Sequence, residues 1–98
     1  MESATTIPEV TVYFPGALRE KVRNQRTVLA RGHTIREVID QLEQDFPGMR
    51  FSLCYETGEV RVFVNIFVER QHIRYLQGLD TPLSAGANIH IFQSVAGG

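Results

Sequence analysis

Gly97 and Gly98 close the sequence, directly after the run Gln93-Ser-Val-Ala96. Glycine lacks a Cβ, so a Gly-Gly end is slim and reaches backbone angles closed to other residues. An enzyme can thread such an end through a narrow cleft and bring the Gly98 carboxylate onto ATP. With average glycine usage near 7%, two glycines end a chain by chance in only about 0.5% of cases. The pair is therefore the first candidate for chemistry, with a frayed terminus as the plain alternative.

Other chemistries find less support. His33, His72 and His90 are scattered, and no Cys or His pair has ligand spacing, so no metal site is expected. Cys54 has no local motif that would supply a base, and reads as a small, partly buried hydrophobe. Gly16, Gly32, Gly48 and Gly58 stand alone, outside any pattern that cradles phosphate. Residues 19–36 hold Arg19, Lys21, Arg23, Arg26, Arg31 and Arg36 against Glu20 alone. No aromatics interleave them for base stacking. They read as a solvated surface, or as the complement of an acidic partner. Asp40, Glu43 and Asp45 read as ordinary solvent-facing charges.

The bulk properties agree with a small soluble domain. The chain has 98 residues, 43% hydrophobic and 21% charged, with a formal net charge of −1. That length fits one domain and one core, spanning residues 1–98. The charge gives no pull toward nucleic acid or anionic membrane, and no apolar run approaches a membrane span of ~20 residues. A single cysteine excludes an internal disulfide framework and suits a reducing compartment. Residues 1–8 lack the basic and apolar regions of a secretory signal and read as a loose leader. A cytoplasmic location is the resulting expectation.

The elements that must position the Gly-Gly end follow from periodicity. Residues 9–14 alternate, with Val10, Val12 and Phe14 on one side and Thr11 and Tyr13 on the other, as in a strand. Pro15-Gly16 breaks it, and residues 26–31 are expected to return as a second strand. Thr34-Ile-Arg-Glu37 matches a capping box. Ile35, Val38, Ile39, Leu42 and Phe46 then make one apolar helical stripe, ended by Pro47-Gly48. Residues 49–54 fit a short strand or an irregular segment. Residues 60–68 are dense in β-branched and aromatic types, and Asn65 reads as a bend or bulge within them. Residues 71–74 suggest a short return strand, and residues 75–79 a turn. Residues 88–92 form the last strand, and residues 93–98 a flexible tail.

One helix laid across one face of a mixed sheet of four to five strands is a two-layer α+β design. The β-grasp arrangement of ubiquitin fits this order and length. The helix stripe should pack against Val10, Val12, Val62, Val64, Ile89 and Ile91. Alternation in the last strand then turns His90 and Phe92 outward. Phe92 lies six residues before the end, so a partner that gripped it would fix where the tail starts.

Three stretches carry a family resemblance: Val62-Phe-Val-Asn-Ile-Phe-Val68, Ile73-Arg-Tyr-Leu-Gln-Gly-Leu-Asp-Thr-Pro-Leu83, and Gly86 with the end Val95-Ala-Gly-Gly98. Together they resemble the MoaD/ThiS family of sulfur carrier proteins, nearest the subgroup that includes carriers for cysteine synthesis. The turn Phe67-Val-Glu-Arg-Gln-His72 departs from the Asn-Gly or Asn-Asp type usual in that family. The resemblance implies a protein co-substrate rather than an enzyme. An activating adenylyltransferase would bind the domain and thread the tail, Val95, Ala96 and Gly97 included; Phe92 and His90 are, by alternation, the outward residues for it to grip. It would adenylate Gly98 with its own ATP and magnesium, leaving this chain without a cofactor. A sulfur nucleophile would convert the adenylate to a thiocarboxylate, and a downstream synthase would accept the sulfur. The sulfur would go to cysteine, a cofactor or a secondary metabolite. A small subunit of molybdopterin synthase, and a modifier forming isopeptide bonds, are the alternatives. No nucleic acid or membrane partner is implied.

Overall fold

Strand β1 (Glu9–Tyr13) buries Val10 and Val12 and leaves Thr11 and Tyr13 half-buried on the other side. The computed structural model describes residues 6–94. β2 (Thr27–Arg31) returns antiparallel, pairing Val10 with Ala30 and Tyr13 with Thr27. Helix α2 (Ile35–Asp45) follows, preceded by a four-residue helix α1 (Gly16–Arg19). Beyond α2 come α3 (Met49–Leu53), β3 (Val64–Val68), β4 (Gln71–His72) and β5 (Asn88–Gln93). The sheet order is β2-β1-β5-β3-β4. β5 is thus central, parallel to β1 and antiparallel to β3. One helix across one face of this mixed sheet is the β-grasp arrangement that the sequence predicts.

The helix stripe is buried as expected: Ile35, Val38, Ile39 and Leu42 join Val10, Val12, Val64, Ile66, Ile89 and Ile91 in one core. Each such side chain contributes roughly 1.5–3 kcal/mol on leaving water. At the helix start the Thr34 hydroxyl accepts from the Glu37 N–H at 3.2 Å. The Glu37 carboxylate does not reach back to Thr34. It accepts from the His33 N–H at 2.7 Å and lies 3.1 Å from the His33 ring. The cap is displaced by one residue, and Gly32, just before it, lies against the helix. A Cβ there would sit 2.7 Å from the Val38 nitrogen.

Several expectations need correction. Val62 is not in the core but 83% exposed. The Arg61 N–H donates to Leu53 and the Val64 N–H to Arg61, so residues 61–64 turn around the end of α3 and β3 starts only at Val64. Residues 49–53 are helical, not extended. Their start is held by Glu43, whose carboxylate accepts from the N–H groups of Gly48 and Arg50 at 3.2 and 2.8 Å. Glu43 is therefore a cap and not a free surface charge, and these two bonds hold its carboxyl below the usual range. α2 ends at Asp45, with Phe46 before Pro47 already out of helical geometry, and Gly48, with φ of 100°, is the N-cap of α3. Residues 16–22 carry two buried anchors, Leu18 and Val22, on α1 and the 3-10 turn after it. Asn65 sits inside a regular strand, paired with Phe92. Gln93 belongs to β5, opposite Val64, and is not part of a tail.

Candidate partner-docking face

α2 covers one face of the sheet, and alternation sends a different set of side chains to the other. His90 stacks on Tyr13 of β1, with ring centroids 4.3 Å apart and planes 10° apart. His90 and Phe92, two residues apart on β5, lie parallel at 6.2 Å. Phe92 meets the edge of Phe67 on β3 at 5.6 Å, and Phe67 meets His72 of β4 at 5.1 Å. Tyr75, in the turn after β4, completes the row at 6.4 Å from His72. The result is a row of rings crossing four adjacent strands. Phe92 is 51% exposed and Tyr75 77%. Edge-to-face and offset contacts of this kind hold rings in place while their faces stay available.

His90 and Phe92 are therefore placed outward, on the strand that leads to the terminus. The sequence reading singled out these two and missed Tyr13, Phe67, His72 and Tyr75. Alternation marks each of the strand rings as outward within its own strand. Only the sheet order makes them neighbours. Val95, Ala96, Gly97 and Gly98 lie outside the described residues.

The parallel pairing of β1 and β5 also sets the charge near this face. The segment after β1 must lie beside the end of β5. Tyr13, Pro15, Arg19, Arg26, His90 and Phe92 line a shallow depression of about 230 Å³ there. The Arg19 Nε donates to the Phe14 carbonyl at 3.2 Å, which fixes one of the two guanidinium groups. At the opposite end of β5, the Glu69 carboxylate accepts from the Asn88 N–H at 2.9 Å. β5 thus runs from an acidic start to a basic finish.

Elsewhere the chemistry is sparse. Cys54 is free and buried, and burial pushes its thiol pKa up, away from the nucleophilic thiolate. Among the described residues no group of three His, Cys, Asp or Glu side chains is placed to hold a metal ion. Among them, too, no helix is long and apolar enough to cross a membrane.

Comparison with known proteins gives a consistent family. The model of the ThiS family matches residues 12–98. The sulfur carrier protein CysO of Mycobacterium tuberculosis is 36% identical over 91 residues, 91% of this chain and 98% of that one. Small archaeal modifier protein 3 of Haloferax volcanii is 31% identical over 93 residues, 92% and 99% of the two chains. A crystal structure of an Amycolatopsis orientalis BexX/CysO complex superposes with a TM-score of 0.85 at 32% identity, covering 91% of this chain and 99% of that one.

Proposed function

This chain belongs to the ThiS family, and on that premise we propose that it is a sulfur carrier whose working group is the Gly98 carboxylate. The observation that carries the reading is the route to that end. The family match runs through residue 98, and the central strand β5 leads there past an exposed row of rings. An activating enzyme binds this face, with Phe92 and His90 at its centre, and takes up Val95, Ala96 and Gly97 in a narrow channel.

The Gly98 carboxylate attacks the α-phosphate of ATP, pyrophosphate leaves, and an acyl adenylate forms. The ATP and its magnesium belong to the activating enzyme. Hydrosulfide then displaces AMP and loses a proton, leaving a thiocarboxylate. With an enzyme persulfide the product is an acyl disulfide, which a second thiol cleaves to the same thiocarboxylate. That terminal sulfur is anionic and exposed, and a downstream synthase passes it into cysteine, a cofactor or a secondary metabolite. This chain contributes no acid or base, so it acts as a co-substrate. The Amycolatopsis CysO held in a complex with BexX supports the idea that such a carrier docks as a folded domain on a larger partner.

A second reading is supported by the likeness to a small archaeal modifier protein. The same adenylate would be attacked by a lysine amine, giving an isopeptide bond. Two measurements decide. Deleting Gly98 abolishes ATP–pyrophosphate exchange by the activating enzyme while leaving the melting temperature unchanged; undiminished exchange overturns the proposal. Intact mass of the chain isolated from its host shows sulfur in place of one oxygen. Covalent adducts on other proteins with no such species would favour the modifier instead.

A further inference from the structure

The last residue before the terminal segment is held more firmly than its position suggests. The Ser94 N–H donates to the Phe63 carbonyl at 2.8 Å, one step past the last paired residue of β5. Its hydroxyl accepts from the Asn65 side-chain amide at 2.9 Å. The Asn65 carbonyl oxygen lies 3.1 Å from His72 Nε2, and the Arg74 N–H donates to His72 Nδ1 at 3.0 Å. The chain of bonds has one consistent direction. An N–H that points at Nδ1 requires that nitrogen to be unprotonated, so the neutral ring carries its proton on Nε2. Nε2–H then donates to the Asn65 oxygen, which turns the Asn65 amide nitrogen toward Ser94.

The sheet register makes this possible. Asn65 pairs with Phe92, so Ser94 is its diagonal neighbour on the same face. Phe67 pairs with His72, so His72 is the other diagonal neighbour of Asn65. One asparagine thus bridges the sheet's last two strands and the start of the terminal segment. A carboxyl end four residues further on samples a volume set by where its root is fixed and in which direction it leaves.

We propose that Asn65, held by His72, is a positioning residue that anchors Ser94 and sets the exit direction of the terminal segment toward an activating enzyme's reaction centre. The inference rests on the reading that Gly98 is the working end. Docking uses the ring face, so losing the anchor should leave binding alone and slow delivery of the carboxylate. Small misplacements of a reacting group slow chemistry sharply, by up to ~10²-fold for about 1 Å. Part of that loss is recovered here by thermal sampling, so a fall of roughly 3- to 10-fold is expected.

Two measurements test it. In the free chain, the ¹⁵N heteronuclear NOE of the Ser94 amide should equal that of β5 in the wild type and in Ser94→Thr. It should drop in Asn65→Ala and Ser94→Ala. A Ser94 value well below that of β5 in the wild type, or one unchanged in both variants, overturns the anchor. In ATP–pyrophosphate exchange, Ser94→Ala, which leaves the ring row untouched, should lower kcat with KM unmoved, and Ser94→Thr should keep the wild-type kcat. Unchanged kcat, or a change in KM alone, overturns the positioning role. If the wild type supports no exchange with any adenylating enzyme of its host, the sulfur-carrier reading fails, and the NOE still decides the anchor.

Discussion

The two faces of the sheet are made by the same strands yet built from different residues. Toward α2 the strands send Val10, Val12, Val64, Ile66, Ile89 and Ile91, all aliphatic and all buried. Toward the open side β1, β3, β4 and β5 send Tyr13, Phe67, His72, His90 and Phe92, rings that touch one another and keep part of their area exposed. β-Branched aliphatics lose little on being locked between strand and helix and offer no polar atom to satisfy. Rings with polar edges tolerate water on one side and present large, rigid contact area to a partner. Strand alternation lets one element serve the core and a docking surface at once. The difference teaches that stability and recognition can be changed separately here.

The largest effect should come from the covered face. Leu42 is 1% exposed and sits in the middle of the α2 stripe. Leu42→Ala should lower the unfolding free energy by about 2–5 kcal/mol, read by denaturant titration. A loss under about 1 kcal/mol would mean the covered face is not the source of stability. On the open face, Phe92→Ala should do the reverse. It should change stability by less than about 1 kcal/mol, since the ring is 51% exposed and loses only its surface contacts with Phe67 and His90. It should raise the half-saturating concentration for the activating enzyme by about fivefold or more, the equivalent of over ~1 kcal/mol at an interface anchor. If the variant unfolds or binds as before, the division between faces breaks down at this residue.

Much of this division was legible in the sequence, for a local reason. The α2 cap at Thr34, its stripe and the Pro47-Gly48 pair just after its end are all written within fifteen residues, so the helix could be placed without knowing its neighbours. The alternation in β1 and β5 was equally local, and it placed His90 and Phe92 outward. What failed was non-local. Val62 has the residue type of a core strand, but its position is decided by a bond from Arg61 to Leu53, made only once α3 exists. Met49–Leu53 reads as ambiguous until Glu43, six residues upstream of its start, is seen to cap it. The ring row and the Asn65–Ser94 contact need the order of strands in the sheet, which no window of residues contains. Asn65 looked like a strand breaker because its partner lies 29 residues away.

The smallest expected effect sharpens the comparison from the side of charge. Among the described residues the strands send only aliphatic side chains to the covered face, whereas the open face carries His72. Burial, and then the nearby Arg74 charge, hold the His72 imidazole below its ordinary value of 6.5. The neutral ring is also the form that accepts from the Arg74 N–H at Nδ1. A folded-state pKa below the unfolded value means that the unfolded chain binds the proton better. The stabilisation is therefore complete above pH 6.5 and is lost as pH falls through the lowered folded value. The carboxylates of Glu37, Glu43 and Glu69, held below 4.5 by hydrogen bonds, follow the same sign in a separate and more acidic window. Melting temperatures from neutral pH down to about pH 5 should fall modestly in the wild type and less in His72→Gln, which cannot titrate. Below that, the two should fall together as the glutamates protonate. Parallel curves through the upper window would show that His72 carries no proton-linked stability.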